Sequence, residues 1–146
     1  MASERFKVLS FVALILKRGS EVFLIRRFNT GSEDGLYGCA GGGVDAHESV
    51  TQAIIREAYE ELGIVLNREH LKVVHIVQRR TAQGQEMIGF FFETCEWQGI
   101  PCINEPHKCD DAQWFDLNNL PQNCQPAFTH VLIQLNQQQF FSEMGW

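Results

Sequence analysis

Three carboxylates, Glu57, Glu60 and Glu61, fall within five residues of one another in the segment GGVDAHESVTQAIIREAYEELGI, which runs from Gly42 to Ile64. On a helix of 3.6 residues per turn they share one face. Like charges at that spacing repel, at a cost of about 0.2 to 0.5 kcal/mol per i,i+4 pair, so the arrangement calls for a cation. Hard oxygen ligands suit Mg²⁺, with Mn²⁺ as the alternative. The glycines ahead of the helix, Gly41 to Gly43, are expected to let the backbone turn sharply and approach a ligand closely, so that a backbone carbonyl can join the carboxylates around a metal.

The elements that must hold these residues can be read from periodicity. From Glu48 or Ser49 to Leu62 the pattern is helical, with Ile55, Ala58, Tyr59 and Leu62 on an apolar face and Gly63 where helices commonly stop. Phe6 to Leu16 and Glu21 to Arg27 are β-prone runs joined by a Gly19-containing turn, which predicts an antiparallel hairpin. Phe28 to Gly35 is rich in turn formers and predicts a surface loop, followed by a short apolar passage from Leu36 to Ala40. Leu71 to Thr81 and Glu86 to Glu96 form a second hairpin pattern, Ala112 to Leu117 a further strand, and Phe128 to Phe141 a closing helix. Helices alternate irregularly with hairpins, which predicts an α/β chain of the α+β type, a mixed sheet covered by helices on its faces.

The 146 residues suffice for one well-buried domain, taken as residues 1 to 146, and are too few for two comfortable ones. With 45% hydrophobic and 21% charged residues the composition is that of an ordinary globular chain. A net charge of −6 without a basic cluster weighs against binding nucleic-acid polymer, while leaving room for a small phosphorylated ligand held through a metal. The apolar run Val8 to Leu16 is too short to span a bilayer and lacks a signal-peptide cleavage site, so no membrane association and a cytoplasmic location are expected. Five cysteines without CxxC spacing are expected to be reduced thiols. Cys102, His107 and Cys109 lack the paired spacing of a zinc site.

The segment Gly42, five residues, Glu48, seven residues, Arg56-Glu57, Ala58, Tyr59, Glu60-Glu61, Leu62, Gly63, Ile64 resembles the signature of the Nudix hydrolase family at every fixed position. The resemblance implies an α/β/α fold with a mixed sheet between helices. It also implies metal ligands at Glu57, Glu60, Glu61 and the carbonyl of Gly41, with Glu57 orienting or deprotonating the attacking water. By the same resemblance Arg56 fixes the orientation of the glutamates, and Glu48 reaches the metal cluster. The implied reaction is Mg²⁺-dependent cleavage of a nucleoside diphosphate linked to another group, by water attack on phosphorus. The leading substrate is a nucleoside triphosphate. ADP-ribose or a nucleotide sugar is the alternative, and a nucleotide-binding module without catalysis is the alternative of a different class.

Substrate choice lies outside the signature. Thirteen residues separate Arg26-Arg27 from Gly41-Gly42, a spacing similar to that of MutT-like members, which makes Arg26 the candidate for phosphate contact. Phe128 stands where an asparagine helps read the base in such members, so it either stacks on a base or belongs to the core. Glu105, Asp110 and Asp111 are the candidates for a further acidic ligand, with Asp111 carried as a substrate-site candidate. Ala40 and His47 depart from the commonest form of the signature, which has proline and glycine there. Oligomeric state stays open, a homodimer being one arrangement that exposed apolar strands would allow.

Overall fold

The central strand β1 (Leu9–Arg18) is apolar at successive positions because both of its faces are covered. Val12, Leu14 and Leu16 pack in one core with residues of helix α1 (Val50–Leu62), whereas Ala13 and Ile15 pack in a second core with residues of helix α2 (Pro126–Asn136). The layers are therefore helix, sheet, helix, the mixed sheet between helices that the sequence predicts. The computed structural model describes residues 3–146; Met1 and Ala2, the first residues of the expected domain, lie outside the described residues.

Around β1 the sheet is mixed. It is built with β2 (Glu21–Arg27), β3 (Tyr37–Gly38), β4 (Ala40–Gly43), β5 (Lys72–Arg80), β6 (Glu86–Thr94), β7 (Cys109–Asp116) and β8 (Phe141–Met144). The order is β3-β2-β1-β6-β5-β8, with β4 also pairing β1 and β7 also pairing β2. The β1–β2 hairpin closes as expected, Arg18 opposite Glu21 and Gly19 at φ 60° in the turn. β6 runs parallel to β1 and antiparallel to β5. Among the described residues no helix is long and apolar enough to cross a membrane.

Two expectations need correcting. The triple glycine is not a sharp turn: it belongs to β4, with Gly43, Gly42 and Gly41 opposite Phe11, Val12 and Ala13, and none of the three has a positive φ. The closing helix ends at Asn136, and the chain then passes through Gln138 at φ 59° into β8, which pairs in parallel with β5. β8 escapes notice in the sequence because it is only four residues long and places polar Ser142 inward and apolar Phe141 outward, which breaks the alternation that Glu143 and Met144 keep.

What holds Ser142 inside is a polar chain. The fully buried His75 of β5 donates from Nδ1 to the carbonyl of Gln139 at 2.9 Å, which leaves Nε2 to accept from the Ser142 hydroxyl at 2.8 Å. His130 Nε2 in turn donates to Ser142 Oγ at 2.9 Å. Burial holds His75 below its ordinary pKa of 6.5, and the neighbouring His130 acts in the same direction. The unfolded chain thus binds this proton more readily, so the stabilisation from neutral His75 is complete above the ordinary value and is lost as pH falls through the depressed one. The expected result is that hydrogen-exchange protection of the β8 amides drops selectively on acidification below about 6.5. Protection that stays constant relative to β1 would contradict this role.

Candidate active site

Helix α1 begins where its sequence dictates. Ser49 Oγ accepts from the backbone N–H of Gln52 at 3.1 Å, and the Gln52 side chain accepts from the N–H of Ser49 at 2.7 Å, a reciprocal capping box. It stops at Gly63, whose left-handed φ of 69° lets its N–H reach the Tyr59 carbonyl at 3.0 Å. Between these caps Ala53, Ile54, Glu57, Ala58 and Leu62 are buried, and the edge of this sheet-facing side brings Glu57 and Glu61 against β4 and a cleft of 590 Å³. Glu57, Glu60 and Glu61 line that cleft with Gly41 to Gly43, Arg27, Glu105 and Lys108.

Arg56 is the hub of the acidic face. Its Nε and Nη2 donate to the two oxygens of Glu48 at 3.1 and 2.7 Å, its Nη1 to Glu57 at 2.9 Å and Glu60 at 3.2 Å, and its Nη2 also to the Gly43 carbonyl at 3.0 Å. One planar guanidinium thereby ties the loop before the helix, the end of β4 and two of the glutamates into a fixed arrangement. The Arg56 bond holds the Glu48 carboxyl below its ordinary range, helped by the Asp45 N–H, and Glu48 keeps Arg56 firmly protonated. Glu61 is held otherwise, accepting from the N–H of Gly41 at 3.0 Å.

Burial raises Glu57, against the pull of Arg56, with the charges of Glu60 and Glu105 adding to the shift; burial likewise pushes Glu61 up to about 8, with the charges of Glu57 and Glu105 adding to it. Among the described residues no three His, Cys, Asp or Glu side chains converge into a closed ligand set. The cleft nevertheless gathers acidic oxygen donors whose charges are only partly offset by Arg56, and this all-oxygen set fits a hard divalent cation.

The glycines serve close approach. A Cβ on Gly41 would sit 2.0 Å from the backbone oxygen of Val12, and one on Gly42 would sit 2.4 Å from Glu57 Oε1. The two substitutions should therefore part company. Gly41→Ala forces apart paired backbones and is expected to cost about 2 to 3 kcal/mol of stability, as overpacking does. Gly42→Ala meets the end of a side chain, the Glu57 carboxylate, which has to leave its bond to Arg56, and is expected to cost less stability than Gly41→Ala while displacing Glu57 and cutting turnover more than about tenfold. Thermal melts and initial rates on the two variants check this contrast.

The other candidates from the sequence are distributed unevenly. Arg26 does not line the cleft: its Nε donates to Asp110 at 2.7 Å and its guanidinium lies over Tyr37, 5.5 Å from the ring centre. Arg27 lines it instead, and strand alternation was the available signal, since Phe23 and Ile25 of β2 pack in the core shared with α1. Asp111 is likewise elsewhere, taken by the Tyr37 hydroxyl and by Gln113 at 2.8 Å. Of the three loop carboxylates only Glu105 reaches the cleft. Phe128 is buried in the second core, and it also contributes to the wall of a smaller cavity of 230 Å³ that shares Arg27 and Gly41 to Gly43 with the cleft. The five cysteines are free, and Cys109 lies buried with its thiol against the Asp111 carbonyl at 3.1 Å.

The NUDIX domain family matches residues 7–134 of this chain. The NAD-capped RNA hydrolase NudC of Stutzerimonas stutzeri is 32% identical over 130 residues, which cover 84% of this chain and 42% of that protein. The ADP-ribose pyrophosphatase of Methanocaldococcus jannaschii is 29% identical over 120 residues, 82% of this chain and 66% of that one. This chain thus spans less than half the length of the NudC relative. A crystal structure of a MutT NUDIX hydrolase from Burkholderia pseudomallei superimposes with a TM-score of 0.82 at 30% identity, covering 89% of this chain and 99% of that chain. With a domain match across most of its length and the same fold, the chain belongs to the Nudix hydrolase family, a family of pyrophosphohydrolases that work with a divalent metal ion.

Proposed function

We propose that this chain hydrolyses the pyrophosphate bond of a small nucleotide, a nucleoside triphosphate before ADP-ribose or a nucleotide sugar. The observation that carries the reading is the meeting of Glu57, Glu60 and Glu61 with Gly41 to Gly43 and Arg27 around one cleft. In this reading Glu57, Glu60, Glu61 and the carbonyl of Gly41 would hold Mg²⁺ or Mn²⁺. The N–H of Gly41 already faces Glu61, and strand geometry turns the carbonyl of the same residue to that edge. A bound divalent ion supplies neutralisation of phosphoryl charge and an acidified water.

The chain's own groups do the rest. In this reading Glu57, buried under Gly42 and bonded to Arg56, orients the water and takes its proton. Arg27 and Lys108, lining the same cleft, offer positive charge to the phosphates, a role moved here from Arg26 to its neighbour. Glu105 is the loop carboxylate best placed to assist. Water oxygen bonds to phosphorus as the anhydride P–O bond breaks, its proton passes to Glu57, and the group on the far side of the bond departs: pyrophosphate or the nucleoside monophosphate from a triphosphate, a sugar phosphate or the monophosphate from the alternatives. The 230 Å³ side cavity beside the cleft has room for one base, which a triphosphate, ADP-ribose and a nucleotide sugar all carry. The names of the relatives, which act on ADP-ribose and on NAD-capped RNA, keep the alternative in view, although the net charge of −6 disfavours an RNA chain as substrate.

The test is a panel of nucleoside triphosphates, ADP-ribose and nucleotide sugars incubated with Mg²⁺ or Mn²⁺ and followed by chromatographic separation of the nucleoside monophosphate formed from each. Fastest turnover of a triphosphate is expected. Binding of these compounds without turnover of any would favour a nucleotide-binding module instead.

A further inference from the structure

The smaller cavity carries a polar constellation that the hydrolytic site does not use. Its wall is apolar at Phe11, Phe91 and Phe128, and polar at Glu33, Arg79 and Gln125. Glu33 stands between the other two: Oε1 accepts from Arg79 Nη2 at 3.2 Å and Oε2 accepts from Gln125 Nε2 at 3.0 Å. Each partner comes from a remote part of the chain, Arg79 from β5 and Gln125 from the residue before α2.

The presentation of Glu33 is built and not incidental. Its backbone lies in the left-handed region at φ 54°, a conformation that costs a residue with a Cβ about 1 to 2 kcal/mol and that clusters at ligand sites. The loop beneath it is braced by Arg27, whose Nε donates to the Ser32 carbonyl at 2.7 Å and whose Nη2 donates to Thr30 Oγ1 at 3.1 Å, and by Asp34, which accepts from the N–H groups of Thr30 and Gly31. Gln125 is fixed from behind, its Oε1 packed so closely on Gly38 that a Cβ there would lie 1.7 Å away. Because Arg27 walls both cavities, the loop that presents Glu33 is tied to the cleft where phosphates would lie.

We propose that Glu33 reads the base of the substrate, selecting a nucleotide whose base carries an exocyclic amino group (cytosine, guanine or adenine) over uracil and thymine. A carboxylate only accepts, and it has about four lone-pair directions, of which Arg79 and Gln125 occupy two. The free directions suit an amino N–H of a base lying on the aromatic wall, and Arg79 offers donors beside them for the ring nitrogen or carbonyl next to that amine. Uracil would set its O4 against the Glu33 oxygens, leaving acceptor facing acceptor in a site only 27% exposed at that side chain. This inference rests on the proposed nucleotide hydrolysis and names its base class.

The experiment compares pairs in which one member lacks the amino group, CTP against UTP, where a carbonyl and a protonated N3 take its place, and GTP against inosine triphosphate, where hydrogen does, by kcat/KM with Mg²⁺. At least one pair should favour the amino-bearing member about tenfold or more, the scale of a hydrogen-bonded base contact. Glu33→Gln, whose amide both accepts and donates, should bring that ratio toward one, with circular dichroism confirming the fold. Equal kcat/KM within both pairs in the native protein overturns the proposal, as does a ratio unchanged in a folded Glu33→Gln variant. If no nucleotide is turned over, the hydrolytic reading fails by itself, and the same pairs are compared by calorimetric Kd: a tenfold preference still supports Glu33 as the reader, and equal Kd values refute it.

Discussion

Glu60→Gln is expected to lower kcat by about three orders of magnitude or more, with KM raised only a few-fold and the melting temperature within about 2 °C of the native value. The three parts of that result come from the position of the side chain. Glu60 is 45% exposed, and its one ion pair among the described residues is the 3.2 Å contact with Arg56, an i,i+4 surface pair of the kind worth about 0.3 to 0.5 kcal/mol. Its loss cannot unfold the chain. Glutamine keeps the size and one acceptor oxygen but removes the negative charge, so the change falls on whatever depends on that charge, which in the proposed reaction is the holding of a divalent cation. Glu57 would make a poorer test, since it is 9% exposed and bonded to Arg56, and its replacement disturbs packing and charge together. Unchanged activity in Glu60→Gln would remove it from the ligand set. A lost activity accompanied by a collapsed melting temperature would move it from chemistry to folding.

What the sequence disclosed and what it withheld divide along sequence distance. Helix α1, with its Ser49 cap, Gly63 stop and acidic face, is a local object, and its period and caps lie within fifteen residues of each other. The apolar run of β1 announces a strand covered on both sides, and the signature supplies the glutamates. His47 also yields to local reading once its φ of 66° is known, because the glycine common at that position relaxes a left-handed backbone that histidine has to tolerate. The side of a strand is less legible. Arg26 and Arg27 differ by one residue and therefore by a face, and only the packing of Phe23 and Ile25 tells which arginine meets the cleft. Least legible are contacts made by closure of the fold. Glu33 meets Gln125 across 92 residues and Arg79 across 46, and Glu105 rather than Asp111 reaches the cleft because the Tyr37 hydroxyl has already claimed Asp111. No periodicity encodes such meetings, and β8 was hidden for a related reason: its buried serine makes sense only beside His75 and His130.

Arg56→Met is the second large effect, and here stability and rate should fall together. Five hydrogen bonds leave with the guanidinium, two to Glu48 and one each to Glu57, Glu60 and the Gly43 carbonyl, while methionine retains the apolar stem. Breaking a buried charge pair from one side costs about 3 to 5 kcal/mol, and the 27% exposure of Arg56 brings the expected loss to about 2 to 3 kcal/mol. That corresponds to a fall of about 5 to 10 °C in melting temperature for a chain of this size. The loss should depend on pH with a definite sign. Glu48 has a lowered pKa because of Arg56, so in the native protein its stabilising bond is present above the ordinary carboxylate range and is lost in acid; without Arg56 the crowded glutamates repel when ionised and are relieved when protonated. Both effects shrink the difference between native and variant as pH is lowered, and a difference that widened in acid would contradict the clamp. Arg56→Lys separates charge from geometry. A lysine restores one positive charge but not the planar fork that reaches Glu48, Glu57 and Gly43 at once, so it should recover part of the melting temperature while kcat stays at least about tenfold below native. If lysine restored the rate in full, the role of Arg56 would reduce to neutralising charge, and the orientation of Glu57 would have to be attributed to its burial beneath Gly42 alone.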